Sequence, residues 1–352
     1  MAAGAPSILK KLKRNKGAVF GLVVILLACF TALCAYWVAP DNTPNANRII
    51  LEIAAKKPGY RQQFFLLRKE TTVTGNYFTG ITDLYQHIPI TSWQVSGDRI
   101  SLQKYVDEGV SETQVYSLNG QQPEHLIITR TFWLGTDKFG RDILSRLITG
   151  VRVSLSVGFI AVLISLSVGI LLGAMAGYFR GWVDEIIMWL INVVWSIPTL
   201  LLVFALTLAL GKGFWQVFLA VGLTLWVNVA RLVRGQVLSI RELSYIEATK
   251  VMGFSHARTI FRHILPNVMG PVLVIAASNF ASAIVIEAGL SFLGVGVQAP
   301  QPSWGLMIKE NYNFIITNNP ALALAPGIAI MLLVLAFNML GNGLRDVLDV
   351  RN

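Results

Sequence analysis

Long apolar runs separated by short polar loops dominate the chain, and six of these runs are long enough to cross a bilayer. A membrane-spanning helix needs about 20 predominantly apolar residues. The six runs lie at 18–38, between 152 and 180, between 185 and 212, between 212 and 231, at about 267–297 and at about 321–344. They lack the alternation of a β-barrel strand. The pattern therefore predicts six transmembrane α-helices, which satisfy their own backbone hydrogen bonds in lipid.

The positions of lysine and arginine predict the orientation of these helices, because cytoplasmic loops near the membrane hold an excess of them. Five basic residues and no acid precede the first run, and the loop between the fourth and fifth runs has six basic residues against two acids. Residues 41–130, by contrast, hold nine basic and nine acidic residues. We therefore expect both termini and the fourth loop to lie in the cytoplasm, and residues 41–130 to lie outside.

Composition agrees with a membrane protein. Of 352 residues, 54% are hydrophobic and 14% are charged, whereas soluble domains average about 25% charged residues. We attribute the net charge of +10 to the basic residues that set the membrane topology. No nucleic-acid partner is therefore expected. Both cysteines, Cys29 and Cys34, fall in the first run. Residues 26–29 resemble a lipoprotein cleavage site, but the run continues to Val38, so we expect a retained anchor.

The pattern divides the chain into six regions. These are a basic tail at 1–17, a first span at 18–39, an extracytoplasmic insert at 40–131, an interfacial segment at 132–150, a bundle of the other spans at 151–345 and a second cytoplasmic tail at 346–352.

Residues 40–131 read as a small β-rich domain. Strand-like segments occur at 63–67, 71–78, 100–106 and 113–118, and Asn119-Gly120 is a hairpin signal. Apolar residues at strand spacing usually face a core, so we expect the insert's own core to hold its aromatic residues, Phe64, Phe65, Tyr77, Phe78 and Trp93.

The segment after the insert has the pattern of an amphipathic helix. Thr136 or Asp137 can cap it, with its apolar residues along one side and with Arg141, Asp142 and Arg146 in water. Such a helix would lie at the outer membrane face. It would serve either as an anchor for the second span or as an element of an outer gate, and the pattern fits both.

The loop between the fourth and fifth spans contains a helix-forming segment at 239–252, a break at Gly253, and Ser255 as the N-cap of a second helix that Pro266 ends. The pattern exposes Glu247, Lys250, Arg258 and Arg262. This protrusion could dock on a partner, with charge fixing the register, or be a solvated loop that only maintains topology.

Several motifs resemble the permeases of binding-protein-dependent ABC transporters. Glu247-Ala248-Thr249, Gly253 and Leu265-Pro266 are similar to the family's EAA signature, with Thr249 in place of its second alanine. The chain also resembles the C-type subunit of the dipeptide, oligopeptide and nickel subfamily. The matching segments lie at 134–137, 140–142, 262–267, 290–296 and 302–305. The resemblance covers residues 132–350 and leaves 45–130 unexplained.

The resemblance implies a type-1 permease fold and a non-catalytic subunit of an ATP-driven importer, in the bacterial cytoplasmic membrane, for peptides or similar small solutes. Its implied partners are a homologous B-type permease, two ABC ATPases and an extracytoplasmic binding protein. The chain has no phosphate-binding loop of its own. ATP and Mg²⁺ would therefore be bound by the ATPases, which would be coupled through residues 239–266 with Glu247 and Gly253 at the centre.

Polar residues within the spans give weaker signals. Glu287 is an ionisable group in an apolar run, which is either functional or a carboxylate paired for packing. Asn192, Asn228, Asn279 and Asn338 are expected to bond across helices, and Pro198 and Pro326 to kink theirs.

Two other classes of protein fit less well. An ion-coupled secondary transporter would need several buried carboxylates or broken helices in matched halves, and Glu287 alone is thin support for one. A membrane enzyme would need a catalytic set, and the four histidines lack metal-ligand spacing.

Overall fold

A computed structural model describes residues 5–118, 120–211, 213–316 and 319–348. The chain divides into two compact units. The helical unit comprises Met1–Cys29, Ser154–Gln298 and Ile330–Asn352, and the sheet-containing unit comprises Phe30–Val153 and Ala299–Ala329.

The α-helices of the described residues are α1 (Ala5–Arg14), α2 (Lys16–Leu33), α3 (Ala35–Val38), α4 (Pro123–Leu126), α5 (Ile143–Phe179), α6 (Gly181–Trp195), α7 (Thr199–Leu210), α8 (Phe214–Arg241), α9 (Ser244–Val251), α10 (His256–Arg258), α11 (Leu265–Leu293), α12 (Trp304–Asn311) and α13 (Ala321–Leu348). A π-helical turn, Thr259–Ile264, joins α10 to α11, and short 3₁₀ turns occur at Pro44–Ala46, Leu51–Ile53 and Tyr312–Ile315.

Among these residues, five helical stretches are long and apolar enough to cross a membrane: α2, α5, α8, the stretch from α10 through α11, and α13. A sixth span results if α6 and α7 are one span, although they are bent by 93° at the break between them. Pro198 directly precedes α7. Proline cannot donate a backbone hydrogen bond and therefore disrupts a helix. The break thus lies where the sequence predicts a kink. Pro326, by contrast, lies inside α13.

A row of glycines brings α5 against α8 in the helical unit. A Cβ on Gly169 would lie 2.5 Å from the Val229 Cβ, one on Gly173 would lie 2.5 Å from the Ala230 carbonyl oxygen, and one on Gly177 would lie 2.8 Å from the Arg234 carbonyl oxygen. Small residues four apart allow two helix backbones to approach this closely.

Cross-helix hydrogen bonds are confirmed for three of the four asparagines. The pairs are Asn279 Nδ2 to Ser165 Oγ at 3.4 Å, Trp195 Nε1 to Asn228 Oδ1 at 3.3 Å, and Arg231 Nη2 to Asn192 Oδ1 at 3.3 Å.

The sheet-containing unit has a five-stranded antiparallel sheet in the order β6-β5-β4-β1-β7. Its strands are β1 (Tyr60–Arg68), β4 (Tyr85–Ser96), β5 (Arg99–Asp107), β6 (Val110–Ser117) and β7 (Ile127–Phe132), and β2 (Gly75–Asn76) pairs separately with β3 (Gly80–Ile81).

Two strand-level expectations were wrong. Of the strand expected at 71–78, only the two residues of β2 are paired. The hairpin expected at Asn119-Gly120 does not form, because β6 and β7 lie at opposite edges of the sheet; Asn119 itself is outside the described residues. The turn after β5 lies instead at 108–109, where Gly109 has φ +79°.

The aromatic residues of the insert do not all face a core, contrary to expectation. Phe64 and Phe65 are buried on opposite sides of β1, the first beside Ile53 and Phe132 and the second beside Ile100. Tyr77, Phe78 and Trp93, by contrast, are exposed, at 63%, 64% and 38%.

Candidate functional site

The protrusion between α8 and α11 is attached firmly to the helical unit through one face of α9. Ile246 and Thr249 are buried, and Ile246 packs in a cluster that includes Val233 of α8 and Ile264. The Thr249 hydroxyl donates to the Ile246 carbonyl at 2.7 Å. Through this face α9 packs against the C-terminal part of α8.

Gly253 ends α9 in a left-handed conformation, with φ +72°. Its N–H donates to the Lys250 carbonyl, and the Phe254 N–H donates to the Thr249 carbonyl, each at 3.0 Å. Helices commonly end in this way at glycine, which adopts positive φ without a steric penalty. Ser255 then caps α10 as expected, since its Oγ accepts from the Arg258 N–H at 3.3 Å.

Two expectations about this segment were wrong. The helix expected at 239–252 is interrupted, because α8 ends at Arg241 and α9 begins at Ser244. Pro266 does not end a helix. It lies in the first turn of α11, directly after the π-helical turn. The wider turn there, in which the Leu265 N–H bonds to the Ile260 carbonyl, accommodates a residue that has no N–H of its own.

The outer surface of this segment combines charge with exposed apolar side chains. We define the α9 face as Glu247, Ala248, Lys250, Val251 and Met252, all of which are exposed. Val251 is 89% exposed, the second highest value among the large apolar side chains of the described residues.

The remaining EAA residues differ in exposure. Gly253 and Pro266 are exposed, Leu265 is partly buried and Thr249 is buried. Phe261, Arg258 and Arg262 extend the exposed surface beyond the α9 face.

A second cluster of charged residues lies in the sheet-containing unit and contradicts the amphipathic helix expected around residue 140. No helix precedes Ile143 in that segment. Arg141 is 3% exposed. Its Nε donates to Asp137 Oδ2 at 2.6 Å, its Nη2 donates to Glu310 Oε2 at 2.8 Å, and its Nη1 donates to Asn47 Oδ1 at 3.1 Å.

Asp142 and Arg146, also expected in water, are buried at 6% and 1% exposure. Asp142 Oδ2 accepts the Ser145 N–H at 2.9 Å in the first turn of α5. Burial is the largest influence on Asp142 and raises the pKa of its carboxyl, against the opposing hydrogen bonds from Ser145. Arg146 Nη2 donates to Glu310 at 3.4 Å. Arg141 and Arg146 thus pair with Asp137 and Glu310 instead of facing solvent.

Glycines in the same segment explain how it packs so closely. Gly135 and Gly140 have positive φ, and a Cβ on Gly140 would lie 1.7 Å from the Ile50 carbonyl oxygen. The motif at 134–142 therefore forms a tight, glycine-dependent turn around a buried ion cluster.

Glu287 is fully buried in α11. Its Oε1 accepts from the Ser291 hydroxyl at 2.6 Å, and Ser291 Oγ accepts the Val297 N–H at 3.0 Å. These bonds tie the carboxylate to the turn that follows α11, which agrees with the packing role left open by the sequence.

Sequence reasoning missed the contribution of Glu310, which lies in α12. The available signal was that charged residues are scarce in this chain. A charged side chain near an apolar helix needs a partner of opposite charge. Nothing in the local pattern indicated which arginine that partner would be.

Comparison with known proteins gives the family. Residues 169–352 match the binding-protein-dependent transport system inner membrane component family, and residues 7–55 match the N-terminal TM domain of oligopeptide transport permease C. The dipeptide transport system permease protein DppC of Alkalihalophilus pseudofirmus is 43% identical over 66% of this chain and 74% of its own length.

Other relatives agree. The glutathione transport system permease protein GsiD of Pectobacterium atrosepticum is 43% identical over 62% of this chain and 72% of its own. OppC of Bacillus subtilis, an oligopeptide transport system permease protein, is 38% identical over 66% and 74%. A solved structure of the MetNI methionine ABC transporter, facing inward, aligns with a TM-score of 0.48 at 18% identity, over 57% of this chain and 95% of that one. At that score the likeness adds nothing to the assignment.

The chain therefore belongs to the binding-protein-dependent transport system inner membrane component family, as a multi-pass, C-type permease subunit of an ABC importer of the dipeptide, oligopeptide and nickel subfamily.

Proposed function

We propose that this permease carries peptides or similar small solutes, and that the α9 face couples it to ATPase partners. The relatives named for dipeptide, glutathione and oligopeptide transport support the substrate class. The observation that carries the coupling is that α9 buries one face in the helical unit while Val251 and Met252 stay exposed beside Glu247 and Lys250. Exposed apolar side chains rimmed by charge are typical of protein interfaces.

The mechanism follows from this attachment. ATP and Mg²⁺ would be bound by two ATPase subunits, and closure of that pair would favour the outward-facing arrangement of this chain and a homologous B-type permease. Glu247 and Ala248 would lie at the contact, with Gly253 setting the end of the helix. Thr249 would act from inside by holding α9 in place. Leu265 and Pro266 would fix where the protrusion rejoins α11.

We further propose six spans, with α6 and α7 counted as one, and with both termini and the α9 face in the cytoplasm. The basic residues at 10–16 and 231–262 support this orientation. The five-stranded sheet would then lie outside, where a binding protein delivers substrate. The six regions outlined by the sequence would remain as a working division of the chain.

The contacts of Arg141, Asp142 and Glu287, the candidate gate and pathway residues, favour a role in fixing the local structure. Arg141 would hold the segment at 137–142 against Glu310, Asp142 would hold the first turn of α5 through Ser145, and Glu287 would fix the turn after α11. A change in access would then require these contacts to rearrange.

The substrate class is tested by uptake. Cells that express the complete transporter should accumulate labelled dipeptide and should lose that uptake when this chain is deleted. Deletion that leaves dipeptide, oligopeptide and glutathione uptake unchanged would contradict the proposed substrates.

A further inference from the structure

The hairpin of β2 and β3 projects from the sheet-containing unit with two aromatic side chains at its tip. Residues 71–79 are all exposed, including Tyr77 and Phe78. Residues 71–82 contain no charged side chain. A neutral hairpin that exposes two adjacent aromatic rings has the properties of a surface that contacts an apolar partner.

The hairpin holds these rings in a defined position. Asn76 Oδ1 accepts the N–H groups of Phe78 and Thr79, each at 2.9 Å. The base is fixed by Gly80, where a Cβ would lie 2.7 Å from the Pro44 nitrogen. The aromatic tip is therefore presented by a built turn.

The tip contacts α3, the short helix that follows α2. Trp37 follows α2 by four residues and is 70% exposed. Its ring makes an edge-to-face contact with Tyr77, with centroids 6.0 Å apart. The Phe78 carbonyl accepts from Arg152 Nη1 at 2.5 Å, and the Arg152 guanidinium lies 5.2 Å from the Tyr36 ring.

Together these residues make one aromatic patch with a cation at its edge. Tryptophan and tyrosine concentrate at membrane–water interfaces, and long basic side chains place their charge at headgroup level. A pocket of about 590 Å³ opens between Trp37, Tyr77, Tyr36, Asn42 and Ile81, and it could accept part of a lipid molecule.

We propose that Tyr77 and Phe78 insert into the interfacial region of the outer leaflet, so that lipid holds the insert down against the membrane next to the first span. Lipid is favoured over a protein partner for two reasons. The patch is continuous with the end of a membrane-spanning helix, and the hairpin lacks the charges that set the register of a protein contact. The proposal rests on the outward orientation of the insert.

The test measures what surrounds residue 78. Phe78→Cys is made with Cys29→Ser and Cys34→Ser, spin-labelled, and reconstituted within the complete transporter in phosphatidylcholine–phosphatidylglycerol nanodiscs. Oxygen concentrates in lipid, whereas a nickel chelate stays in water. The ratio of oxygen to nickel accessibility should be several-fold higher at residue 78 than at a matched label at Val115, which is 60% exposed on the edge strand β6.

Nickel accessibility at residue 78 equal to that at residue 115 would overturn the proposal, because it would place the tip in water. Exclusion of both reagents would also overturn it, because it would place the tip against protein. Tyr77→Cys provides the same measurement if the first variant does not elute as a folded complex. Neither outcome bears on transport itself, so failure here is distinguishable from failure of the proposed function.

Discussion

At the scale of single residues, burial reverses what the polar pattern suggests around Arg141. Its sequence context places Arg141, Asp142 and Arg146 on the wet side of a helix, but all three are buried. The local pattern could not reveal this, because Glu310, 169 positions away, supplies the compensating charge. A sequence window shows that a charge is present but not which distant group will pair with it.

We predict that Arg141→Met strongly destabilises the protein. The change leaves the buried Asp137 and the partly buried Glu310 without their main cation, a loss of about 3–5 kcal/mol for a broken buried pair. The thermal midpoint of the purified protein should fall well below that of Lys138→Met, which changes an exposed residue of the same segment.

A double variant tests whether the Arg141–Glu310 ion pair is the cause of this destabilisation. Arg141→Met combined with Glu310→Gln should lose less than the sum of the two single changes, because each removes the other's partner. Strict additivity would show that the two side chains do not stabilise one another.

Gly253 illustrates what a sequence can predict for one residue. The break at this position was expected, and φ +72° gives its physical cause. An added Cβ meets nothing within 4 Å, so the space around Gly253 is free for a partner.

We predict that Gly253→Asp reaches the membrane in normal amounts but abolishes uptake. Asparagine has nearly the same size and tolerates positive φ, so Gly253→Asn is the matched control and should keep part of the activity. Membrane level is checked by immunoblot and uptake with labelled substrate. Full uptake by Gly253→Asp at wild-type levels would argue against a contact at this position.

At the scale of elements, the apolar runs locate the helices well, but their ends depend on neighbours. The segment around Pro266 reads as a helix end because proline usually disrupts helices. In the structure the π-helical turn before Leu265 absorbs the disruption, and the helix continues through Leu293. Strand pairing is harder to predict from the sequence than helix ends are. Asn119-Gly120 suggests a local hairpin, whereas β7 pairs with the distant β1.

The glycine row of α5 provides a prediction at this scale. Gly173→Ala should destabilise the protein by about 1–3 kcal/mol, because a methyl group would overpack the contact with Ala230 of α8. Gly235→Ala, on α8, meets no atom within 4 Å and should be neutral or stabilise by about 0.5–1 kcal/mol. Thermal midpoints in one detergent compare the two, and equal effects would contradict close packing of α5 on α8.

At the scale of the whole molecule, the sequence was sufficient for the class of protein and for its family. Apolar length and the EAA motif are properties of continuous segments, which a sequence displays directly. Other features depend on contacts between distant segments. These are the order of strands in the insert, the ion pairs of Glu310 and the exposure of Tyr77 and Phe78. The motif at 134–142 was recognised, but its role in packing became visible only with Ile50 and Glu310 in place.

We propose that the exposed α9 face couples ATP hydrolysis in a partner subunit to this permease. The most direct measurement is photo-crosslinking in native membranes, with a benzophenone side chain at Val251 and a control at Val115. Val251 should crosslink to a nucleotide-hydrolysing subunit, and Val115 should not. Failure of Val251 to capture an ATPase in the assembled transporter, or an equal yield from Val115, would contradict it.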